Sequence, residues 1–210
     1  MNISKIKAVV FDCDGVLFDT GLANRKFYDE VLDRFDKPGL TREQFKNVHM
    51  MTVGAAVEYL FPELEDLTPV YTCLKQIGYH KFIPDMKMED GLVSLLEKIK
   101  KRGWVRGIAT NRTDTMEKVL KEFHLDPYFD IVVTARDVDK AKPHPDELIK
   151  IMDHYDLSPH EMVFLGDSDF DRQAARRAGT WFIAFRQSSL DADVHVDSMD
   201  GLGDVLRLNE

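Results

Sequence analysis

The chain has 210 residues, 44% of them hydrophobic and 10% aromatic, enough for a folded protein with one domain or one domain and a small insert, and unlike a disordered one. Its 28 lysines and arginines against 37 aspartates and glutamates give a net charge of -9, with the cations scattered, which speaks against nucleic acid as a main partner. No run approaches the roughly 18 apolar residues that cross a bilayer, Met1 to Lys7 lacks a signal-peptide core, and Cys13 and Cys73 suit neither a disulfide framework nor a zinc site, so the expectation is a cytoplasmic protein with no membrane partner.

The first element is a short apolar run, Ala8 to Phe11, which reads as a strand buried on both faces. From about Thr20 to Asp85 only helical periodicity follows, in Phe27, Val31, Leu32 and Phe35, then Val57, Leu60 and Phe61. A βα connection is normally far shorter, so residues 20–85 are expected to form a small helical domain inserted after the first strand, with residues 1–19 and 86–210 making up the rest. A helix over Gly91 to Lys101 presents Leu92, Leu95, Leu96 and Ile99 on one face and ends near Gly103. Strand Val105 to Ala109, helix Asp114 to Phe123 and strand Ile131 to Thr134 come next. A helix after Pro145, a strand at Val163 to Leu165, a helix over Phe170 to Ala178 before Gly179, and a strand at Trp181 to Phe185 complete the alternation. Asp193 to Asn209 reads as a last short strand and a closing helix. The fold class is α/β, a parallel sheet of β-α units.

Ligands of an open parallel sheet bind at the carboxyl ends of its strands. There stand Asp12, Cys13, Asp14 and Gly15 after the first strand; Thr110, Asn111 and Arg112 after the second; Lys142 to Pro145 beyond the third; and Gly166 to Asp171 after the fourth. Each cluster has an ordinary explanation, since an Asp after a strand is commonly a helix N-cap and a surface Lys is commonly solvated. Asp167, Asp169 and Asp171 do not make an EF-hand, which wants Gly at its sixth position and Glu at its twelfth where this chain has Arg172 and Ala178. Nor is Cys13 a phosphatase cysteine, because Asp19 stands where its arginine belongs. Four polar strand ends together are harder to explain by turn chemistry alone.

Phe11-Asp12-Cys13-Asp14-Gly15-Val16-Leu17-Phe18-Asp19, Ile108-Ala109-Thr110-Asn111, Lys142-Pro143, and Gly166-Asp167-Ser168 with Asp171 together resemble, in order, the four motifs of the haloacid dehalogenase superfamily of phosphohydrolases. The similarity is to its phosphoglycolate phosphatase-like branch and covers essentially the whole chain. It implies a Rossmann-like parallel sheet flanked by helices, with the inserted helical segment as a cap. It also implies a Mg²⁺-dependent phosphatase that hydrolyses a small phosphate monoester through an aspartyl-phosphate. Asp12 would be the nucleophile and Asp14 the acid and base. Lys142 would neutralise charge, Thr110, Asn111 and Arg112 would meet the phosphate, and Asp12, Asp167 and the backbone carbonyl of Asp14 would hold the metal. Ser168 and Asp171 would support Lys142 or a metal-bound water.

An aspartate at position 14 argues against dehalogenase and phosphonate-cleaving members, which generally lack one there. In the cap, Asn47 to Gly54 takes the place of the family's specificity loop, with His49 where many relatives carry an arginine, and Met50 and Met51 beside it. Two other readings stay open: a sugar phosphomutase of the β-phosphoglucomutase kind, and a noncatalytic binding protein on this fold. The expected partner is a small phosphorylated metabolite, bound by a monomer or a homodimer.

Overall fold

A computed structural model describes residues 1–48 and 51–209. In chain order come strand β1 (Ala8–Phe11), helices α1 (Gly21–Asp33), α2 (Arg42–Val48), α3 (Val53–Leu60), α4 (Thr68–Ile77) and α5 (Leu92–Lys101), strand β2 (Val105–Thr110), α6 (Met116–Glu122), β3 (Ile131–Thr134), α7 (Asp146–Tyr155), β4 (Met162–Gly166), α8 (Asp169–Ala178), β5 (Trp181–Phe185), β6 (Val194–Val196) and α9 (Met199–Val205). They divide into two compact units, one of Met1–Asp19 with Met88–Glu210 and one of Thr20–Lys87.

The larger unit holds a six-stranded sheet in the order β3-β2-β1-β4-β5-β6, with every pair parallel. Strand β1 lies inside it, Phe11 level with Ile108 of β2 and Leu165 of β4. All four of its residues are fully buried, which is why the strand reads as an uninterrupted apolar run. On one face Val10, Phe164 and Phe182 of the sheet pack with Leu148 and Ile151 of α7 and Ala174 and Ala175 of α8. Leu92, Leu95, Leu96 and Ile99 give α5 its buried stripe, as the periodicity required. Helix α8 starts at a capping box, Ser168 with Asp171, and stops at Gly179, whose φ of +76° is the left-handed conformation that closes a helix without a Cβ clash. Helix α6 begins at Met116, two residues later than its sequence suggests, and the Thr115 hydroxyl at its start accepts from Arg112.

Apart from Lys87, the described regular structure of residues 20–87 is helical, and it is built around aromatic rings. Phe27 meets Tyr79 and Phe82 with centroids 5.3 and 5.6 Å apart, and Phe35 meets Phe61 at 5.0 Å. The Tyr79 hydroxyl donates to Asn24 Oδ1 at 2.6 Å, so the half-buried ring is tethered. Thr41 and Gln44 cap α2 reciprocally, each side chain accepting the other's backbone N–H. Among the described residues no helix is long and apolar enough to cross a membrane.

Candidate active site

The parallel register places three chain segments together at the carboxyl ends of β1, β2 and β4. Asp12 leaves β1 with its backbone N–H on Leu165 O at 2.9 Å, and its side chain is almost wholly buried. Lys142, from the loop before α7, is equally buried. Its ammonium donates to Asp12 Oδ1 at 2.7 Å, Asp171 Oδ1 at 2.6 Å and the carbonyl of Ala109 at 3.1 Å, which commits each of its N–H bonds. Asp171 Oδ2 accepts from the Ser168 hydroxyl and from the Ser168 backbone N–H at 3.0 Å. The helix cap of α8 therefore also orients the lysine, through one carboxylate used at both ends. The Asn111 amide donates to the backbone carbonyl of Lys142 at 3.0 Å and holds that loop to the end of β2.

Two glycines permit the approach. Gly15 has a φ of +78°, and a Cβ there would come within 2.0 Å of Asp167 Oδ2. The Asp167 carboxylate thus lies directly against the turn that carries Asp12 and Asp14. At Gly166 a Cβ would fall 2.3 Å from that of Asp171, so only glycine lets α8 bring Asp171 under Lys142.

Asp14 and Arg112 form a fork. Arg112 Nε donates to Asp14 Oδ2 at 2.7 Å and Nη2 to Oδ1 at 2.6 Å, while Nη1 donates to the Thr115 hydroxyl at 3.1 Å. The Thr110 hydroxyl oxygen accepts from the Arg112 backbone N–H at 3.2 Å, and Thr110 itself is buried. Arg112 was expected beside the substrate phosphate; its guanidinium is turned onto Asp14. His49 lies outside the described residues. Cys13 packs fully buried between the two aspartates, and burial pushes its thiol far above the ordinary range, so it is no nucleophile.

The electrostatics are those of an anionic cluster with too few cations. Burial, then the charges of Asp171, Asp14 and Asp167, raise the Asp12 carboxyl well above its ordinary value in spite of Lys142. Burial and Asp171 lift Asp167 to about 7. Burial alone would depress the Lys142 ammonium, but Asp12 and Asp171 outweigh it and keep the lysine charged. One oxygen each from Asp12, Asp167 and Asp171 lie within 4.8 Å of one another. Both oxygens of Asp171 are taken by Lys142 and Ser168, which leaves Asp12 and Asp167 as carboxylates with capacity for a cation. Hard oxygen donors and surplus negative charge suit a divalent ion such as Mg²⁺.

One buried acid has no counterpart in the sequence reading. Glu147, in the first turn of α7, is wholly buried with both carboxylate oxygens lacking a hydrogen-bond partner, and burial raises it to about 7 despite Lys142 nearby. The signal was there: Glu147 is four residues before Ile151, which places it on the inward face of the helix.

A family model of haloacid dehalogenase-like hydrolases matches residues 9–185. The chain belongs to that family. A haloacid dehalogenase-superfamily hydrolase of subfamily IA from Geobacter sulfurreducens is 36% identical and superposes with a TM-score of 0.85 over 96% of this chain and 97% of its own. The pyrophosphatase PpaX of Bacillus mycoides is 28% identical over 86% of this chain and 83% of its own. A Haemophilus somnus protein predicted to be a phosphoglycolate phosphatase shares the fold at 19% identity, with a TM-score of 0.84 over the whole of both chains. In this haloacid dehalogenase-like hydrolase the four sequence clusters therefore sit on a fold shared by other members.

Proposed function

We propose that this hydrolase is a Mg²⁺-dependent phosphatase that cleaves a small phosphate monoester, or a phosphoanhydride, through an aspartyl-phosphate on Asp12. The observation that carries the reading is the position of Asp12. It stands at the carboxyl end of an inner strand with Oδ1 held by a buried lysine, and Oδ2 takes no hydrogen bond from the described residues. Phosphate esters need accelerations of up to about 10²¹-fold, most of it from positioning and charge neutralisation, and these are what the cluster offers.

The Asp12 carboxylate attacks phosphorus and the bond from phosphorus to the leaving oxygen breaks. Asp14 gives that oxygen a proton, then removes one from the water that attacks the aspartyl-phosphate, so that inorganic phosphate leaves and Asp12 is regenerated. The Thr110 hydroxyl and the Asn111 backbone N–H donate to phosphoryl oxygens, and Lys142 supplies a fixed cation that cannot swing away from Asp12. Asp12, Asp167 and the Asp14 carbonyl would hold Mg²⁺, which supplies the positive charge that lets an anionic carboxylate meet an anionic phosphate. None of the residues given a chemical role lies in the helical unit of residues 20–87, to which we assign the choice of leaving group.

The test is phosphate release from p-nitrophenyl phosphate and a panel including pyrophosphate and phosphoglycolate, with and without Mg²⁺, for the wild type and Asp12→Asn. Release should require both the metal and Asp12, with a loss on the order of 10⁴-fold or more in the variant. Release that survives Asp12→Asn would remove the nucleophile. Isomerisation of a sugar phosphate outrunning phosphate release would replace the hydrolase with a mutase.

A further inference from the structure

We propose that Arg112 is a positioning residue, fixing the carboxylate of Asp14 for proton transfer to the leaving group, and that it does not hold the phosphoryl group. This rests on the acid role given to Asp14 above. Arg112 is anchored at both ends. Its backbone N–H is on the Thr110 hydroxyl and its carbonyl accepts from Ala135 N–H at 3.1 Å, so its Cα is tied to the ends of β2 and β3. The side chain is 8% exposed, and its planar fork reaches both Asp14 oxygens from the side edged by Nε and Nη2. Nη1 on the Thr115 hydroxyl fixes the rotation of the fork.

Asp14 differs from the other acids of the cluster. Its side chain is 39% exposed, against 11% for Asp12 and 1% for Asp171, and it stands on a turn whose next residue is a glycine of positive φ. Left alone, such a carboxylate would sample several rotamers, and the bidentate pair selects one. A lysine at position 112 would keep the charge but not the fork. The Nε and Nη2 edge of the guanidinium, the one suited to bidentate contact, is closed on the Asp14 carboxylate, so a phosphate could take that edge only by displacing Asp14. The geometry therefore assigns it to Asp14.

The leaving group separates the two roles. An alkyl phosphate expels a poor alkoxide that needs a proton, whereas p-nitrophenyl phosphate expels a stable phenolate that does not. The parameter to compare is kcat/KM, which reports the steps through release of the alcohol. Arg112→Ala and Arg112→Lys should lower kcat/KM for an alkyl phosphate at least about tenfold more than for p-nitrophenyl phosphate, with inhibition by inorganic phosphate unchanged. Adding Arg112→Ala to Asp14→Asn should bring no further discrimination. Equal losses on both substrates with weaker phosphate inhibition would overturn the proposal in favour of a phosphate-binding arginine, and no selective loss at all would also overturn it. If Arg112→Ala does not fold, Arg112→Lys decides. The acid role fails separately, and visibly, if Asp14→Asn itself shows no dependence on the leaving group.

Discussion

The two edges of the central sheet both carry ion pairs, and they treat their acids in opposite ways. At the amino-terminal edge Arg106 donates to Asp130 three times, at 2.9, 2.9 and 2.6 Å, and those bonds hold the Asp130 carboxyl below its usual value. Glu161 there accepts from Lys7 and from Ser158 and is drawn down to about 2. At the carboxyl-terminal edge burial outweighs the partners, and Asp12, Asp167 and Glu147 are all raised. Folding stabilises the anions at the first edge and strains those at the second. Acids with depressed values lend stability above their unfolded pKa and lose it as pH falls through the folded one. Acids with raised values impose no penalty below their unfolded pKa, near 4, and the full penalty above about 7. The first edge gains stability from its ionised acids, and the second holds acids raised in the manner of functional sites.

The sharpest break of this contrast is Lys142→Ala. It removes the ammonium that bridges two buried carboxylates, so both activity and about 3–5 kcal/mol of stability should go, read by phosphate release and denaturant unfolding. Retained stability would mean that Asp12 and Asp171 are far better hydrated than their burial implies. Glu147→Leu tests the opposite sign. Moving a carboxyl from 4.5 to about 7 costs about 3 kcal/mol at pH 8 and nothing at pH 4, so the variant should gain stability over the wild type as pH rises. A gain independent of pH would show that folding does not shift the Glu147 carboxyl.

Asp130→Asn should do the reverse of a catalytic lesion. It weakens bonds to a buried guanidinium and should lose about 1.5–3 kcal/mol with kcat/KM unchanged, whereas impaired turnover would couple the two edges. Lys7→Ala, at the same edge but largely in solvent, should move the melting temperature by roughly one or two degrees and leave activity alone.

The strands were legible because those inside the sheet must be apolar on both faces, and runs such as Ala8 to Phe11 admit few other readings. The cluster of Asp12, Lys142, Asp167 and Asp171 was legible because these residues follow strand ends, where a parallel sheet collects its loops. What escaped was partner choice. Asp14 and Arg112 are 98 positions apart, and nothing local says that the guanidinium turns to a carboxylate and not to a ligand. Asn111 likewise could have pointed either way, and its amide is used on the Lys142 carbonyl. Glu147 escaped because an acid in a helix's first turn reads as a solvated complement to the helix dipole, and its spacing of four from Ile151 is the local sign that it faces inward.

The most direct measurement is acid quench during turnover followed by mass spectrometry of the peptides, using Asp14→Asn to slow release of the phosphoryl group. The account predicts a phosphorylated peptide whose modification, removed by hydroxylamine as an acyl phosphate is, maps to Asp12. Turnover with no phosphorylated peptide, or with the phosphoryl group on any other residue, would contradict it.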